Sequence, residues 1–209
     1  EPAIQKAVDL ILQAHSPIII CGGGVVISGA EAALTNLVEH FNIPVCTTVS
    51  GQGSLAGNHP LNAGVVGSNG GVIATRNIVA QADLVFFIGC RAGSTTTEHW
   101  RFPSPNTTII HLDIDANTIG VNYKTHAPLL GDAKLTLEII NALLQKQSAN
   151  RTKKVVDGKT LSLQSKKEKF APFLQLAQSN DSPIVPERIV HSLNRLLPKD
   201  AIICADPGT

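Results

Sequence analysis

Continuous apolar runs alternate with segments of helical period along the first two-thirds of the chain. The strand candidates are residues 18–21, 45–49, 83–89 and 108–113, with shorter extended pieces at 63–66 and 128–130. The β-branched residues in the long runs are consecutive, which is typical of strands covered on both faces in a parallel sheet. These runs therefore predict a buried, parallel sheet.

Helix-period segments connect the strand candidates. Apolar residues at helical spacing predict a helix over residues 3–14, and Ser28 is expected to cap a helix that ends near Phe41. The glycine-rich residues 67–71 are expected to open a helix to about Gln81, and Asp132 to cap a helix through Leu144. Asp115 is expected to cap a short helix. Strands alternating with helices predict right-handed crossovers and a doubly wound, Rossmann-like α/β fold.

The composition changes after Leu144, which predicts three parts: a central domain over residues 1–146, a linker with a helix over 147–183, and residues 184–209. Residues 145–160 are polar and basic, and a helix is predicted over 161–177. The last part predicts a helix over 186–197 and a strand over 201–205. One helix and one strand form no sheet alone, so we expect a truncated second α/β domain and a chain that is a fragment of a longer protein.

Charge and composition exclude several classes of partner. The net charge of +1 is spread thinly, so neither a nucleic acid nor a membrane surface is an expected partner. No apolar run approaches the roughly 20 residues that a bilayer requires, and no signal peptide is recognised, so we expect a cytoplasmic protein. The four cysteines lack CxxC spacing, and three of them close apolar runs, which favours buried thiols over zinc or disulfides.

Glycine-rich junctions follow several of the predicted strands. They are Gly22-Gly23-Gly24, Gly51 with Gly53, Gly67 to Gly71, Gly89-Cys90-Arg91 and, with aspartates in place of glycine, Asp113-Ile114-Asp115. Carboxyl ends of parallel strands form the ligand-binding edge of open α/β sheets, so these junctions predict a nucleotide site. For the glycine triplet, tight turning and ligand contact remain alternatives, because its spacing is not that of the G-x-G-x-x-G fingerprint.

No catalytic motif is evident among the remaining polar residues. His111 lies inside an apolar strand and is expected to be a structural histidine. Residues 95–101 form a polar loop with the chain's only tryptophan, Trp100. Contact with a ligand and contact with a neighbouring domain are alternatives for this loop, and packing at an interface is the expected one. The chain contains no nucleophile elbow, Walker loop or paired-carboxylate motif.

The order of these junctions resembles the central domain of thiamine diphosphate-dependent enzymes of the acetolactate synthase group. The resemblance covers about Ile4 to Leu144 and rests on the following segments: Pro17 to Gly24, Ile43 to Thr48 with Gly51-Gln52-Gly53, His59-Pro60-Leu61 leading to Gly64 and Gly67, Ala82 to Val85, Gly89-Cys90-Arg91, Ile110 to Asp115, and Gly131-Asp132. Residues 188–209 resemble the first helix and strand of the diphosphate-binding domain that follows in such enzymes.

The resemblance implies a Rossmann-like domain of the DHS-like NAD/FAD-binding type within a 2-oxo acid lyase or transferase. In this family thiamine diphosphate and Mg²⁺ are held by flanking domains, so the fragment itself is expected to be non-catalytic. The central domain holds FAD in some members, an adenine nucleotide in others and nothing in many. The positions that match flavin contacts are Gly22, Gly23, Gly24, Thr48, Gly51, Gly67, Arg91, Asp113 and Asp115.

Expected partners are the other domains of the parent chain, a second copy in a homodimer or homotetramer, and a small-molecule substrate. The sequence departs from acetolactate synthases after Arg91, where Ala92-Gly93-Ser94-Thr95 replaces their Phe-Asp-Asp-Arg. This departure argues against FAD and against acetolactate synthase as the identity of the parent. Sulfoacetaldehyde acetyltransferase-like, carboligase-like and decarboxylase-like parents remain open. A self-sufficient NAD-binding, deacylase-like module and a purely structural domain without nucleotide are the alternative hypotheses.

Overall fold

A six-stranded parallel sheet forms the centre of the chain in the computed structural model, which describes residues 2–147 and 155–204. The strands are β1 (Pro17–Cys21), β2 (Val45–Thr47), β3 (Asn62–Val65), β4 (Leu84–Ile88), β5 (Thr108–Asp113) and β6 (Ala127–Leu130). Their order is β3-β2-β1-β4-β5-β6, and every neighbouring pair is parallel. Because β1 lies between β2 and β4, the chain winds outward in both directions, which confirms the predicted doubly wound fold.

Helices and loops cover both faces of this sheet. The described helices are α1 (Pro2–Gln13), α2 (Gly23–Ile27), α3 (Glu31–Phe41), α4 (Ile73–Ala80), α5 (Ala133–Gln147), α6 (Gly158–Leu176) and α7 (Pro186–Leu196). Helices α1, α3 and α5 pack on one face with Phe86, whereas α4 packs on the other with Phe87. Both faces of the sheet are therefore shielded from solvent, which explains why β1 and β4 are apolar at every position.

The helix predicted to begin at Ser28 is instead two helices. Ser28 ends α2, where its backbone N–H donates to the carbonyl of Gly24, and α3 begins at Glu31. Gly29 between them adopts a φ of 64°, a left-handed conformation that interrupts a right-handed helix. The prediction that Ser28 caps the longer helix is wrong.

Three other boundaries differ from the sequence prediction, and one is confirmed. Helix α4 starts only at Ile73, because Gly67 and Gly70 have φ of 97° and 90°, which no α-helix accommodates. Strand β2 ends at Thr47, and residues 116–120 form a turn rather than a helix after Asp115. Asp132 caps α5 as predicted, since its Oδ1 accepts from the backbone N–H of Leu135 at 3.0 Å.

The described chain divides into two compact units, residues 1–166 and 167–209. The first unit includes the start of α6, which packs beside β3 and the residues that lead into this strand. The hydroxyls of Ser162 and Ser165 donate to the carbonyls of Leu61 and Ala63 at 3.2 and 3.4 Å. Both serines are buried, so these two polar residues of α6 satisfy backbone carbonyls rather than face solvent. Residues 148–154 of the predicted linker lie outside the described residues.

Asp157 fastens the N-terminus of α6 to the sheet domain. Its carboxylate accepts from the Asn42 amide at 2.8 Å, from the Thr160 hydroxyl at 2.6 Å and from the backbone N–H of Lys159 at 3.1 Å. Hydrogen bonds from Asn42 and then Thr160 lower the pKa of Asp157 to about 2 from 3.8. The ionised form therefore stabilises this junction.

Asp157→Asn is expected to remove a pH-dependent part of the stability. Because the pKa of Asp157 is lower in the folded state, its contribution is present above 3.8 and is lost as the pH falls towards 2. The difference in Tm between wild type and variant should shrink as the pH is lowered from about 6 to about 3. Glu138→Gln on α5 is the control for loss of an exposed carboxylate, and a pH-independent difference for Asp157→Asn would contradict the prediction.

The second unit contains most of α6 and all of α7. Helix α7 has Pro186 at its start and Glu187 in its first turn, close to the predicted bounds. None of its residues is buried, and Ile189, Val190 and Leu193 are about half exposed. Residues 201–204 form no strand, which contradicts the prediction for them; Ala205 lies outside the described residues. A strand requires a hydrogen-bonded neighbour, and the described residues offer none here. In the described chain, no helix combines the length and apolarity needed to span a membrane.

Candidate functional site

A cleft of about 710 Å³ opens at the carboxyl ends of β1 and β4. These two strands are neighbours, but the segments that follow them lead to opposite halves of the sheet. Open α/β sheets bind ligands at such a switch point. The lining residues are Gly22, Gly23, Thr48, Val49, Ser50, Val66, Asn69, Gly89, Cys90, Arg91, Gly93, Ser94, Thr95, Thr96 and Asn122.

The glycine triplet allows two strand ends to approach closely. A Cβ on Gly22 would lie 2.0 Å from the carbonyl oxygen of Gly89, and one on Gly24 would lie 2.7 Å from the Cα of Gly89. The backbone N–H groups of Gly22 and Gly24 donate to the carbonyls of Ile88 and Gly89 at 2.9 and 3.1 Å. Close packing therefore requires glycine at positions 22 and 24, whether or not a ligand is bound.

The stretch from Thr48 to Gly51 forms a second wall. The backbone N–H of Thr48 donates to the carbonyl of Cys21 at 2.8 Å, and the Thr48 hydroxyl accepts from the N–H of Gly51 at 3.0 Å. Gly51 is buried, and a Cβ there would lie 2.1 Å from the Cys21 carbonyl oxygen. This tight turn holds Val49 and Ser50 at the cleft.

The loop after β4 forms the third wall. Arg91 and residues 93–96 line the cleft, and the Asn122 amide donates to the carbonyl of Arg91 at 3.2 Å. Gly67 packs against this loop, because a Cβ on Gly67 would lie 2.2 Å from the Thr95 carbonyl oxygen. The N–H of Ser68 donates to that carbonyl at 2.8 Å.

The structure separates the predicted site residues into three groups. Gly22, Gly23, Thr48 and Arg91 line the cleft, whereas Gly24, Gly51 and Gly67 pack against the segments that form its walls. Asp113 and Asp115 do not line it. Asp113 accepts from the N–H of Asp115 at 3.0 Å, and Asp115 accepts from the N–H of Asn117 at 2.9 Å. Both carboxylates thus shape the turn after β5.

Sequence reasoning missed Asn122 at the cleft and did not select Asn69 or Ser94. Asn122 comes from the loop before β6, about thirty residues after Arg91 in sequence. No motif surrounds it, and its amide reaches Arg91 only because β5 lies beside β4 in the sheet. Asn69 lies within the glycine-rich junction 67–71, which the sequence predicted to be part of the site, so its presence at the cleft could have been predicted.

The cleft lining combines polar and apolar groups and contains no carboxylate. Arg91 is the lining residue with a formal charge. Burial raises the pKa of the Cys90 thiol to about 11, so this cysteine is a neutral wall residue. Cys21, Cys46 and Cys90 are buried, whereas Cys204 is exposed. Within residues 2–147 and 155–204, no three His, Cys, Asp or Glu side chains are placed to hold a metal ion.

His111 is a satisfied structural histidine, as predicted. It is buried on β5, and its Nε2 lies 2.8 Å from the carbonyl oxygen of Cys90. Burial lowers its pKa, so the ring is neutral and Nε2 donates to that carbonyl. The ring therefore supports the loop that starts at Cys90.

Comparison with known proteins identifies the domain. Residues 4–140 match the family described as "Thiamine pyrophosphate enzyme, central domain". The chain belongs to this family. Membership confirms the resemblance inferred from the order of the strand-end junctions. Thiamine pyrophosphate and thiamine diphosphate are the same compound.

Relatives of this thiamine pyrophosphate enzyme domain include acetolactate synthase subunits and a hydrolase. The probable acetolactate synthase large subunits of Methanococcus aeolicus and Methanocaldococcus jannaschii are 39% and 36% identical to the chain over 98% of its length. A 3D-(3,5/4)-trihydroxycyclohexane-1,2-dione hydrolase of Clostridium perfringens is 37% identical over 68% of the chain. The chain spans 35%, 34% and 22% of these relatives, respectively.

Proposed function

We propose that the chain is the central part of a longer thiamine diphosphate-dependent lyase or transferase that acts on a 2-oxo acid or a related carbonyl compound. The family and the acetolactate synthase relatives support this proposal. Thiamine diphosphate and Mg²⁺ would be held by other domains of the parent, which supply the catalytic chemistry. This chain would serve as the scaffold between them, in a parent that forms a homodimer or homotetramer.

We further propose that the cleft binds the diphosphate group of an adenine nucleotide, either FAD or ADP. The observation that carries this proposal is a switch-point cleft with a single arginine and no carboxylate in its lining. Guanidinium groups bind phosphate oxygens through paired, charge-assisted hydrogen bonds. Ser50, Ser94 and Thr95 place hydroxyl-bearing residues around the same space. A volume of about 710 Å³ falls in the range of ligand pockets, about 300–1,000 Å³.

The residues present thus fit a diphosphate. Arg91 would pair with the phosphates, and the hydroxyls and the amides of Asn69 and Asn122 would hydrogen-bond to phosphate or ribose oxygens. Ala92-Gly93-Ser94-Thr95, which stands where acetolactate synthases have Phe-Asp-Asp-Arg, adds no charge to this wall, so Arg91 supplies the formal charge of the lining. The group predicted to bind is the adenosine diphosphate that FAD and ADP share. The test below examines FAD and ADP as separate ligands.

Calorimetric titration of the 209-residue chain with ADP, FAD and NAD tests the cleft. We expect binding of ADP or FAD, and at least about tenfold weaker binding by Arg91→Ala, the loss expected for a charge-assisted pair. Arg195→Ala, which removes an exposed arginine on α7, is the matched control and should leave the affinity unchanged. If neither ADP nor FAD binds, the result would favour the purely structural domain. If NAD binds more tightly than ADP and FAD, the result would favour the deacylase-like alternative.

The parent's chemistry has a separate test. The full-length gene is expected to encode an upstream domain with a cofactor-activating glutamate and a downstream domain with a Gly-Asp-Gly motif that ends in Asn. A full-length protein that lacks both segments would overturn the thiamine diphosphate proposal but leave the nucleotide proposal standing.

A further inference from the structure

Glu98 is a buried carboxylate in the loop that follows β4, and it does not line the cleft. Its side chain is 7% exposed, and it forms a paired contact with Arg76 of α4. The Nε of Arg76 donates to Oε1 at 2.9 Å, and its Nη2 lies 2.6 Å from Oε2. A planar guanidinium that engages both oxygens fixes the orientation of a carboxylate as well as its position.

The backbone around Glu98 adopts an unusual conformation. Glu98, His99 and Trp100 have φ of 50°, 59° and 60°, so three consecutive non-glycine residues are left-handed. Each such residue is costly, and the conformation persists only where surrounding contacts determine it. Arg76 holds the side chain of Glu98, and the Nε of Arg101 donates to its carbonyl at 3.0 Å.

This left-handed turn closes back onto the wall of the cleft. The N–H of His99 donates to the carbonyl of Ser94 at 2.8 Å, and its Nδ1 lies 3.0 Å from the Ser94 hydroxyl. The hydroxyl of Thr97 donates to the carbonyl of Gly93 at 3.0 Å. Gly93 and Ser94 line the cleft, so contacts on the far side of the turn determine where this wall lies.

We propose that Glu98 is a positioning residue for the ligand of the cleft. It anchors the left-handed turn to α4 and thereby fixes residues 93–96 at the distance that the ligand requires, without contacting the ligand. The inference rests on the proposed nucleotide site and extends it, because it assigns control of affinity to an ion pair outside the cleft.

Glu98→Gln tests this role, since it keeps the size of the side chain and removes the charge. We expect at least about a fivefold increase in the Kd for whichever of ADP or FAD the wild type binds. Arg76→Lys keeps the positive charge but lacks the paired geometry and should also weaken binding. Ile140→Val on α5, which trims a buried side chain on the other face of the sheet, controls for general destabilisation and should leave the Kd within about twofold.

Hydrogen exchange of the backbone N–H groups of residues 94–96 provides a second measurement that needs no ligand. Faster exchange in both the Glu98 and Arg76 variants, but not in Ile140→Val, is the expected result. If the wild type binds nucleotide and the variants match its affinity, the inference is overturned. If the wild type binds neither ADP nor FAD, the proposed function fails, and unchanged exchange in the variants would separately refute the anchoring role.

Discussion

Replacing Gly22 by alanine is expected to destabilise the sheet domain by about 3 kcal/mol or more, the upper end of the cost of overpacking. The added Cβ would lie 2.0 Å from the carbonyl oxygen of Gly89 and 2.8 Å from the Cα of Cys90. Both obstacles are backbone atoms, which no change of rotamer can move. The ends of β1 and β4 must therefore separate, with loss of the hydrogen bond from the Gly22 N–H to the Ile88 carbonyl.

Gly93→Ala is the matched control, because Gly93 also lines the cleft but a Cβ there meets nothing within 4 Å. Its stability should stay within about 1 kcal/mol of the wild type. Urea denaturation of both variants measures the difference, and for a chain of this size 3 kcal/mol corresponds to a fall in Tm of about 6–12 °C. Similar stabilities for the two variants would show that the strand ends separate without cost.

Phe87→Ala is expected to cost about 3–5 kcal/mol, the range for truncation of a buried phenylalanine. Phe87 is fully buried on β4, and its ring lies 5.8 Å from that of His111 and 5.9 Å from that of Tyr123. These neighbours come from β5 and from the loop before β6. A cavity at this point therefore removes contacts that join three consecutive elements of one half of the sheet.

Phe170→Ala is the control for this substitution, since Phe170 on α6 is 44% exposed. Truncation there leaves no closed cavity, so the loss should be less than half of that for Phe87→Ala. Denaturant midpoints at constant m-value provide the comparison. Equal losses would mean that the smaller core, on the α4 face of the sheet, is not closely packed.

The described lining of the cleft supplies hydrogen-bonding groups and one formal positive charge. Among its lining residues the only cysteine, Cys90, is a neutral thiol, and His111 behind it donates to the Cys90 carbonyl. The other lining residues can bind and orient a ligand and exclude water from it. A nucleotide that bound this edge of the sheet in the folded state alone would stabilise the strand ends.

The amino-acid sequence by itself determined the fold class and the family. The apolar runs at β1 and β4 contain no alternation, and only a strand covered on both faces tolerates that pattern, so a parallel sheet under two layers followed. The glycine and aspartate junctions occur in family order, which the sequence alone shows. Asp132 as a helix cap and His111 as a structural residue were predictable from their neighbours in sequence.

Only the tertiary structure decided which residues meet at the cleft. Gly22 and Gly24 allow the approach of β4 to β1, which depends on a strand order that joins segments nearly seventy residues apart. The same order brings Asn122 to Arg91 and leaves Asp113 and Asp115 in a turn of their own. Residues that are equivalent in local sequence thus differ in role, because side-chain neighbours are set by packing across the sheet. The pairing of Glu98 with Arg76 is the clearest case, since nothing near either residue in sequence distinguishes it from an exposed charge.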